Sequence, residues 1–136
     1  MAETFQLSIL AAEKPFYEGK CMSLVIPTLD GEREILAHHS NMIAAIVPGV
    51  IRGKFPDGDA RTAAVSGGLV KIEDNEVLVL ADTVERPEEI DANRAKRAAA
   101  QAKEALLQKK SIQEYRAAQA NLARAVNRLR VKRTYQ

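Results

Sequence analysis

A chain of 136 residues with 46% hydrophobic and 28% charged residues has the composition of a globular protein rather than a disordered one. Trp is absent and only 4% of the residues are aromatic, so we expect a core built mainly from aliphatic side chains. No apolar run is long enough for a membrane-spanning helix, and the single Cys21 excludes an internal disulfide and the usual zinc-finger ligand sets. The first residues lack a basic segment followed by an apolar stretch, so we expect no signal peptide and a reducing compartment.

The net charge of +2 conceals a difference between the two ends of the chain. Residues 1–86 contain 8 Lys/Arg and 13 Asp/Glu, a charge of −5, whereas residues 87–136 contain 12 Lys/Arg and 5 Asp/Glu, a charge of +7. All seven glycines lie at or before Gly68, and the last of the five prolines is Pro87. This change predicts two domains of different architecture, residues 1–86 and residues 87–136.

The first domain shows the alternation of apolar and polar residues that is typical of half-buried strands. Residues 5–10 and 22–26 follow this pattern, and residues 69–72 and 77–80 form two further apolar segments. Turn signals rich in Pro, Gly and Asp recur about every ten residues, which predicts an antiparallel sandwich or barrel. The last two segments are predicted to form a hairpin with its turn at Asp74-Asn75.

No residue pattern in this domain is typical of an enzyme active site. His38 and His39 are the only histidines, and neighbours on a strand point to opposite faces, which favours loop packing or exposure over metal ligation or acid–base catalysis. Ser66-Gly67-Gly68 lacks the Lys-Ser/Thr pair of a phosphate loop and is interpreted as a bend where two backbones approach. Cys21 lies in a predicted strand and is interpreted as an unreactive core thiol.

The second domain consists mostly of strong helix formers and has no Gly, and no Pro after Pro87. Pro87 suits the first position of a helix, and the acids of residues 88–91 would lie at its positive end. Lys109-Lys110 supply positive charge at the predicted C-terminus of this helix, and Ser111-Ile112-Gln113-Glu114 then has the form of a capping box. The pattern predicts an antiparallel pair of helices, each of about 20 residues.

The apolar residues of these helices predict a contact surface made largely of alanine. Such a seam allows close approach but buries little area, since each methylene lost forfeits about 0.8 kcal/mol. We therefore expect helices that form readily, hold each other weakly and can undock. The residues concerned are Ala95, Ala98, Ala102 and Ala105 or Leu106 in the first helix, and Tyr115, Ala118, Leu122, Ala125, Val126 and Leu129 in the second.

Basic residues gather at the base of the predicted hairpin. Antiparallel pairing about a turn at residues 110–111 places Arg94 opposite the stretch from Arg124 to Arg128, with Asp91 about one turn away. Arg124 and Arg128 are four residues apart and share a helix face. Two interpretations stay open: an Asp91–Arg94 pair beside a solvated basic face, or an anion site, since guanidinium groups match phosphate oxygens.

Three stretches carry a resemblance over nearly the whole chain. They are Ala64-Val65-Ser66-Gly67-Gly68-Leu69-Val70 with its continuation at residues 77–82, Ile90-Asp91-Ala92-Asn93-Arg94-Ala95, and Asn127-Arg128-Leu129-Arg130-Val131. In this order and spacing they resemble the epsilon subunit of the bacterial F-type ATP synthase. The resemblance implies an α+β chain, with an N-terminal antiparallel sandwich of ten strands followed by a C-terminal antiparallel two-helix hairpin.

The resemblance also implies a role. It is that of a non-catalytic subunit in the rotating central stalk, which couples ion translocation to ATP synthesis as a peripheral part of the complex at the cytoplasmic face of the cell membrane. In that family the sandwich binds the gamma subunit and the ring of c subunits. The hairpin either docks on the sandwich or extends along gamma into the catalytic alpha/beta hexamer, where it inhibits ATP hydrolysis.

Site residues follow from the matching positions. No cofactor is required, but the resemblance implies ATP as a regulatory ligand. A hairpin of charge +7 also attracts an acidic partner surface. The predicted ATP-binding residues are Ile90, Asp91, Arg94, Ala95, Arg124 and Arg128, and the predicted partner-binding residues are Ile35, Leu36, His39, Met42, Arg116, Arg124 and Arg128.

The segment at residues 34–42 departs from the family pattern. Glu34 stands where the pattern has Gly, and Ala37 and Asn41 stand in place of prolines, whereas Ile35-Leu36 and His39 agree. Because Glu adopts positive φ less readily than Gly, a different loop path is expected here.

A nucleic-acid-binding module is the alternative that the basic helices suggest. The few aromatic residues and the acidic first domain argue against it. A freestanding enzyme has the least support, because the sequence offers no acid–base pair, nucleophile or metal-ligand set. We therefore expect a subunit that regulates protein partners and binds no nucleic acid.

Overall fold

Ten β-strands and two α-helices follow one another along residues 3–108 and 111–135, the part of the chain that the computed structural model describes. The chain divides into two compact units, Met1–Glu85 with the strands and Arg86–Gln136 with the helices. The predicted α+β fold, a sandwich followed by a helical hairpin, is confirmed. The strands are β1 Phe5–Ala11, β2 Pro15–Cys21, β3 Ser23–Thr28, β4 Gly31–Leu36, β5 Met42–Ile46, β6 Gly49–Lys54, β7 Ala60–Val65, β8 Gly68–Glu73, β9 Glu76–Ala81 and β10 Val84–Glu85.

The strands form two five-stranded sheets. Sheet A has the order β2-β1-β9-β8-β5, and sheet B has the order β10-β7-β6-β3-β4. Neighbours pair antiparallel except β1 and β9, which run parallel to each other. Two sheets with a shared apolar core make a sandwich rather than the barrel that the alternation alone left open.

The sandwich core is built from inward-facing residues at alternate strand positions. In β1, Phe5, Leu7 and Ile9 are 1%, 0% and 3% exposed, as the alternation predicted. Most of the remaining core is aliphatic, in agreement with the low aromatic content, although Phe55 also belongs to it.

Cys21 lies in this core and is fully buried. Its thiol donates a hydrogen bond to the carbonyl oxygen of Ser23 over 3.1 Å. Burial raises the pKa of the Cys21 thiol above its usual value, and the hydrogen bonds only partly offset this. The side chain therefore stays protonated and packs as a small apolar group.

Two predicted backbone features of β8 and β9 are present. Asp74 and Asn75 have φ of 51° and 64°, and two successive left-handed residues are typical of the type I′ turn of a tight hairpin. A Cβ atom at Gly68 would lie 1.8 Å from the carbonyl oxygen of Leu80, so only glycine permits this approach of two backbones. Both the hairpin and the glycine bend are therefore confirmed.

Residues 34–36 belong to a strand rather than to a loop. Glu34 pairs with Val25 in the regular register of β3 and β4. The left-handed residue of the connection to β5 is His38, with φ of 64°. The reason given for a different loop path is therefore wrong, because position 34 has the extended backbone that any residue adopts.

The helical unit begins differently from the prediction. A 3₁₀ turn at Pro87–Glu89 precedes α1 at Ala92–Leu107, and α2 spans Ile112–Tyr135. A helix starting at Pro87 is wrong because Ile90 and Asp91 are extended, with ψ of 124° and 104°. The Asp91 side chain caps α1 instead, which leaves α1 with 16 residues and α2 with 24.

The predicted cap of α2 is present at Ser111. Its hydroxyl oxygen accepts a hydrogen bond from the backbone N–H of Glu114 over 3.2 Å. The predicted positive charge at Lys109-Lys110 lies outside the described residues.

Alanines form the contact between α1 and α2. The buried alanines fit the register predicted from a turn at residues 110–111 to within one residue when Ala95 is paired with Ala125 and Ala102 with Ala118. The other predicted contact residues are less buried. Ala99 is buried in place of Ala98, and Tyr115 and Val126 are 45% and 50% exposed. The half-buried ones are Ala98, Ala105, Leu106, Leu122 and Leu129. The seam is therefore narrower than predicted, because facing methyl groups leave little room for larger neighbours.

Candidate functional site

Helix geometry indicates that three arginines share one side of the hairpin near its base. Ala95 and Ala125 lie in the seam, so Arg94 and Arg124 each precede a seam residue by one position. When two antiparallel helices are viewed from one end, one chain turns clockwise along its sequence and the other turns counterclockwise. The residue that precedes a seam residue therefore points to the same side of the pair in both helices. Arg128, four residues after Arg124, follows on that side. The helical register thus supports the predicted grouping of these guanidinium groups.

Asp91 is the acidic residue of this grouping. Its carboxylate accepts a hydrogen bond from the backbone N–H of Arg94 over 3.1 Å. That bond is the main reason why the pKa of Asp91 lies below its usual value, and the positive charges of Arg97 and Arg94 act in the same direction. Because the Asp91 carboxylate accepts a hydrogen bond from the backbone at the helix N-terminus, the anion-binding groups of this cluster are the arginine side chains.

The arginine side chains differ in exposure. Arg94 is exposed, whereas Arg124 and Arg128 are half-buried, and the Nε atom of Arg128 is buried. Arg124 donates a hydrogen bond to the side-chain oxygen of Asn121, one turn earlier on α2. Cations held at defined positions on helices can bind phosphate oxygens in a fixed geometry.

The other two predicted ATP-binding residues do not present their side chains to solvent. Ile90 and Ala95 are 2% and 0% exposed. Both side chains therefore contribute to packing within the helical unit, and their predicted part in ATP binding stays a prediction.

A second contact stabilises the base of the hairpin. The Nζ atom of Lys132 donates a hydrogen bond to the carbonyl oxygen of Pro87 over 3.4 Å. Val131, the neighbour of Lys132 on α2, is fully buried. The Lys132 hydrogen bond thus links the 3₁₀ turn to the end of α2, in addition to the contact between α1 and α2.

The predicted partner-binding residues of the sandwich fall into two groups. Leu36 is 53% exposed, and His39 and Met42 are half-buried. Ile35 is 0% exposed and belongs to the core, so we correct its predicted role from partner contact to packing, because inward positions of β4 face sheet A. Arg116 on α2 is exposed.

An apolar row on the outer face of sheet A was missed. Leu10 pairs with Leu80, Leu80 with Leu69, and Leu69 with Ala45, so the row crosses four strands. Leu69 and Leu80 are 49% and 43% exposed, and nearby Ile43 is 69% exposed. The signal was available, because a strand with one solvated face should carry polar residues at these positions.

A second exposed apolar surface lies on α2 beside the alanine seam, and we call it the outer stripe. Some of its residues had been predicted for the seam itself. They follow the spacing of three and four residues that is typical of a helix packed against another helix, except that the polar Gln119 interrupts the pattern. Ile112, Tyr115 and Val126 are 71%, 45% and 50% exposed, so the stripe is largely uncovered. It consists of Ile112, Tyr115, Leu122, Val126 and Leu129.

Within residues 3–108 and 111–135, no group of three or more His, Cys, Asp and Glu side chains could hold a metal ion. In the same part of the chain, neither helix has the length and apolar character needed to cross a membrane.

Comparison with known proteins decides the family. The model of the ATP synthase delta/epsilon chain β-sandwich domain matches residues 4–87, and that of the delta/epsilon chain long α-helix domain matches residues 88–133. The chain belongs to the ATP synthase delta/epsilon family. Together the two matches cover nearly all of the chain.

Relatives within the ATP synthase delta/epsilon family match along most of their length. The ATP synthase epsilon chain of Thioalkalivibrio sulfidiphilus (strain HL-EbGR7) is 41% identical, covering 96% of this chain and 94% of the relative. That of Caldicellulosiruptor bescii is also 41% identical, with the same coverage of 96% and 94%. A solved structure of the mitochondrial ATP synthase of Euglena gracilis (OSCP/F1/c-ring in rotational state 1) contains a chain with the same fold, at 19% identity and a TM-score of 0.77, covering 91% of this chain and 78% of that one.

The resemblance to the bacterial epsilon subunit is thereby confirmed, and with it the prediction of an accessory subunit that is not itself an enzyme. Apart from the corrected Ile35, the individual ATP-binding and partner-binding residues stay predictions.

Proposed function

We propose that the helical unit of this epsilon-type subunit is a mobile inhibitor of ATP hydrolysis. In this proposal the sandwich binds the gamma subunit and the c ring at the cytoplasmic face of the membrane. The hairpin extends along gamma into the catalytic alpha/beta hexamer and thereby restrains hydrolysis. The complex as a whole couples ion translocation to ATP synthesis.

The observation that carries the proposal is the contrast between two faces of α2. The face toward α1 is held by small side chains such as Ala118 and Ala125, which bury little area. The outer stripe offers larger side chains, among them Ile112 and Val126, to solvent. A helix that exposes its more apolar stripe is suited to a second packing arrangement, in which that stripe is covered by a partner.

Charge favours an acidic partner. From residue 105 to the end, Glu114 is the only acidic residue, whereas α2 carries Arg116, Arg130 and Arg133 beside the outer stripe or in line with it. A positive surface of this kind speeds encounter with a negative one and opposes pairing with a second copy of itself.

We further propose that ATP is a regulatory ligand of the closed hairpin. Arg94, Arg124 and Arg128 would bind the phosphates, and a ligand that needs both helices stabilises the state in which they are paired. ATP would then shift the equilibrium from the extended to the closed hairpin, to an extent set by the ratio of its affinities for the closed and extended states.

Hydrolysis by the reconstituted catalytic complex tests the inhibitor role. Full-length protein is expected to slow hydrolysis, whereas a version ending at Arg86 should bind the complex and leave hydrolysis fast. Equal rates with the two proteins, at matched occupancy of the complex, would overturn the proposal.

A further inference from the structure

The connection between β4 and β5 is tied to the turn between β8 and β9 by two asparagine side chains. The Asn75 side-chain oxygen accepts a hydrogen bond from the backbone N–H of His38 over 2.6 Å. In the opposite direction, the side-chain oxygen of Asn41 accepts one from the backbone N–H of Asp74 over 3.1 Å. Each loop thus supplies one backbone donor and one side-chain acceptor to the other.

Asn75 also fixes the start of β1. Its side-chain amide donates to the carbonyl oxygen of Thr4 over 3.0 Å, and its own carbonyl oxygen accepts from the backbone N–H of Gln6 over 3.2 Å. A single residue therefore joins the N-terminal strand, its own turn and the β4–β5 connection. Few side chains other than an amide can donate and accept at once in this way.

The bond to His38 matters because of the backbone conformation there. His38 has φ of 64°, a region that non-glycine residues occupy only when their surroundings hold them. The following residue, His39, donates its backbone N–H to the carbonyl oxygen of Leu36 over 3.2 Å, so the turn is closed on both sides of His38.

We propose that Asn75 is a positioning residue for residues 36–41, and that it sets how Leu36 and His39 are presented to the partner of the sandwich. The inference rests on the proposed binding of gamma by this region. Residues 37 and 41, where the family pattern has prolines, are Ala37 and Asn41 here. Proline rings would restrict the backbone at these two positions, and in this chain hydrogen bonds to asparagine side chains would provide that restriction instead.

The test uses the full chain with Asn75→Gly, compared with Asp74→Gly. Glycine keeps the left-handed turn, and both substituted turns retain a sequence suited to type I′, so the β8–β9 hairpin is preserved in each. Only Asn75→Gly removes the side chain that binds His38. Asn75→Asp is the conservative variant, because it keeps the acceptor for the His38 N–H and loses the donor to Thr4.

Amide exchange at residues 38–41 and dissociation from purified gamma subunit are the two readouts. With Asn75→Gly we expect exchange of the His38 amide to be about tenfold faster and dissociation from gamma to be about tenfold faster, because the hydrogen bond that restrains the His38 amide is lost. Asp74→Gly should change neither, and Asn75→Asp should restore slow exchange at His38.

Unchanged exchange with Asn75→Gly would overturn the restraint itself. Faster exchange with unchanged dissociation would overturn the positioning role. If the wild-type chain did not bind gamma at all, the proposed partner would be wrong, and the exchange data would still decide whether Asn75 restrains the connection.

Discussion

The backbone N–H of Arg94 donates to the carboxylate of Asp91 over 3.1 Å, and this bond marks where α1 begins. It places a negative charge at the positive end of the helix, next to a cluster of positive side chains. Asp91, a predicted ATP-binding residue, thereby fixes the start of the helix that carries Arg94.

Loss of this cap should weaken the helical unit in a pH-dependent way. The hydrogen bond keeps the folded-state pKa of Asp91 below its usual value of about 3.9, so its stabilising effect is complete above that value and is lost as the pH falls through the folded-state pKa. Asp91→Ala should lower the helical melting temperature at neutral pH, whereas Asp91→Asn, still a capping residue, should lower it less and remove the acid dependence. Far-UV circular dichroism measures both. The same acid-induced loss of helix in wild type and Asp91→Asn would contradict the assignment.

Local patterns predicted the regular parts of this fold because the relevant forces are local. The alternation in β1 follows from burial of one sheet face, and Asp74-Asn75 and Ser111 follow from turn and capping chemistry. The alanine seam followed from helical spacing alone.

Other features depend on a balance between interactions that the sequence pattern alone does not settle. Helix propensity favours a start at Pro87, but Asp91 caps the helix, so α1 begins after it and a 3₁₀ turn precedes it. Ile35 matched a surface motif although its strand position faces the core. The row of Leu69 and Leu80 became visible only when register aligned residues from different strands.

The outer stripe should be required for inhibition. Val126→Asp places a charge in the stripe at a position that is already 50% exposed, so the closed hairpin should be little affected. Burying that charge against a partner helix is unfavourable, and inhibition of hydrolysis should weaken by about tenfold or more. Ala120→Asp, an exposed position on α2 outside the stripe, is the matched control. Equal inhibition by the two variants would mean that the stripe is not a contact surface.

The arginines at the base of the hairpin should determine ATP affinity. Replacing Arg124 and Arg128 with Gln removes two charged donors, each contributing about 1.5–3 kcal/mol to a bound phosphate, so affinity should fall by about a hundredfold or more. Arg130→Gln makes a charge change on the other side of α2 and should leave binding unchanged. Isothermal titration of the free protein with ATP distinguishes them. An equal loss in the control would indicate general electrostatic attraction rather than a site.

Positive charge on α2 should contribute to inhibition through attraction to an acidic partner surface. Neutralising Arg116, Arg124 and Arg128 together is expected to relieve inhibition of hydrolysis in the assembled enzyme. The difference from wild type should shrink as salt rises, because exposed charges are screened over about 8 Å at physiological ionic strength. Unchanged inhibition by the triple variant at low salt would rule out this electrostatic contribution.

Amide hydrogen exchange on the full chain, measured free and within the assembled ATP synthase, tests most directly whether the helices are held less firmly than the strands. We predict that amides of α1 and α2 exchange faster than those of β1, β8 and β9 in the free protein, and that their protection changes on assembly. Helices protected as strongly as these strands in both states would contradict a mobile hairpin.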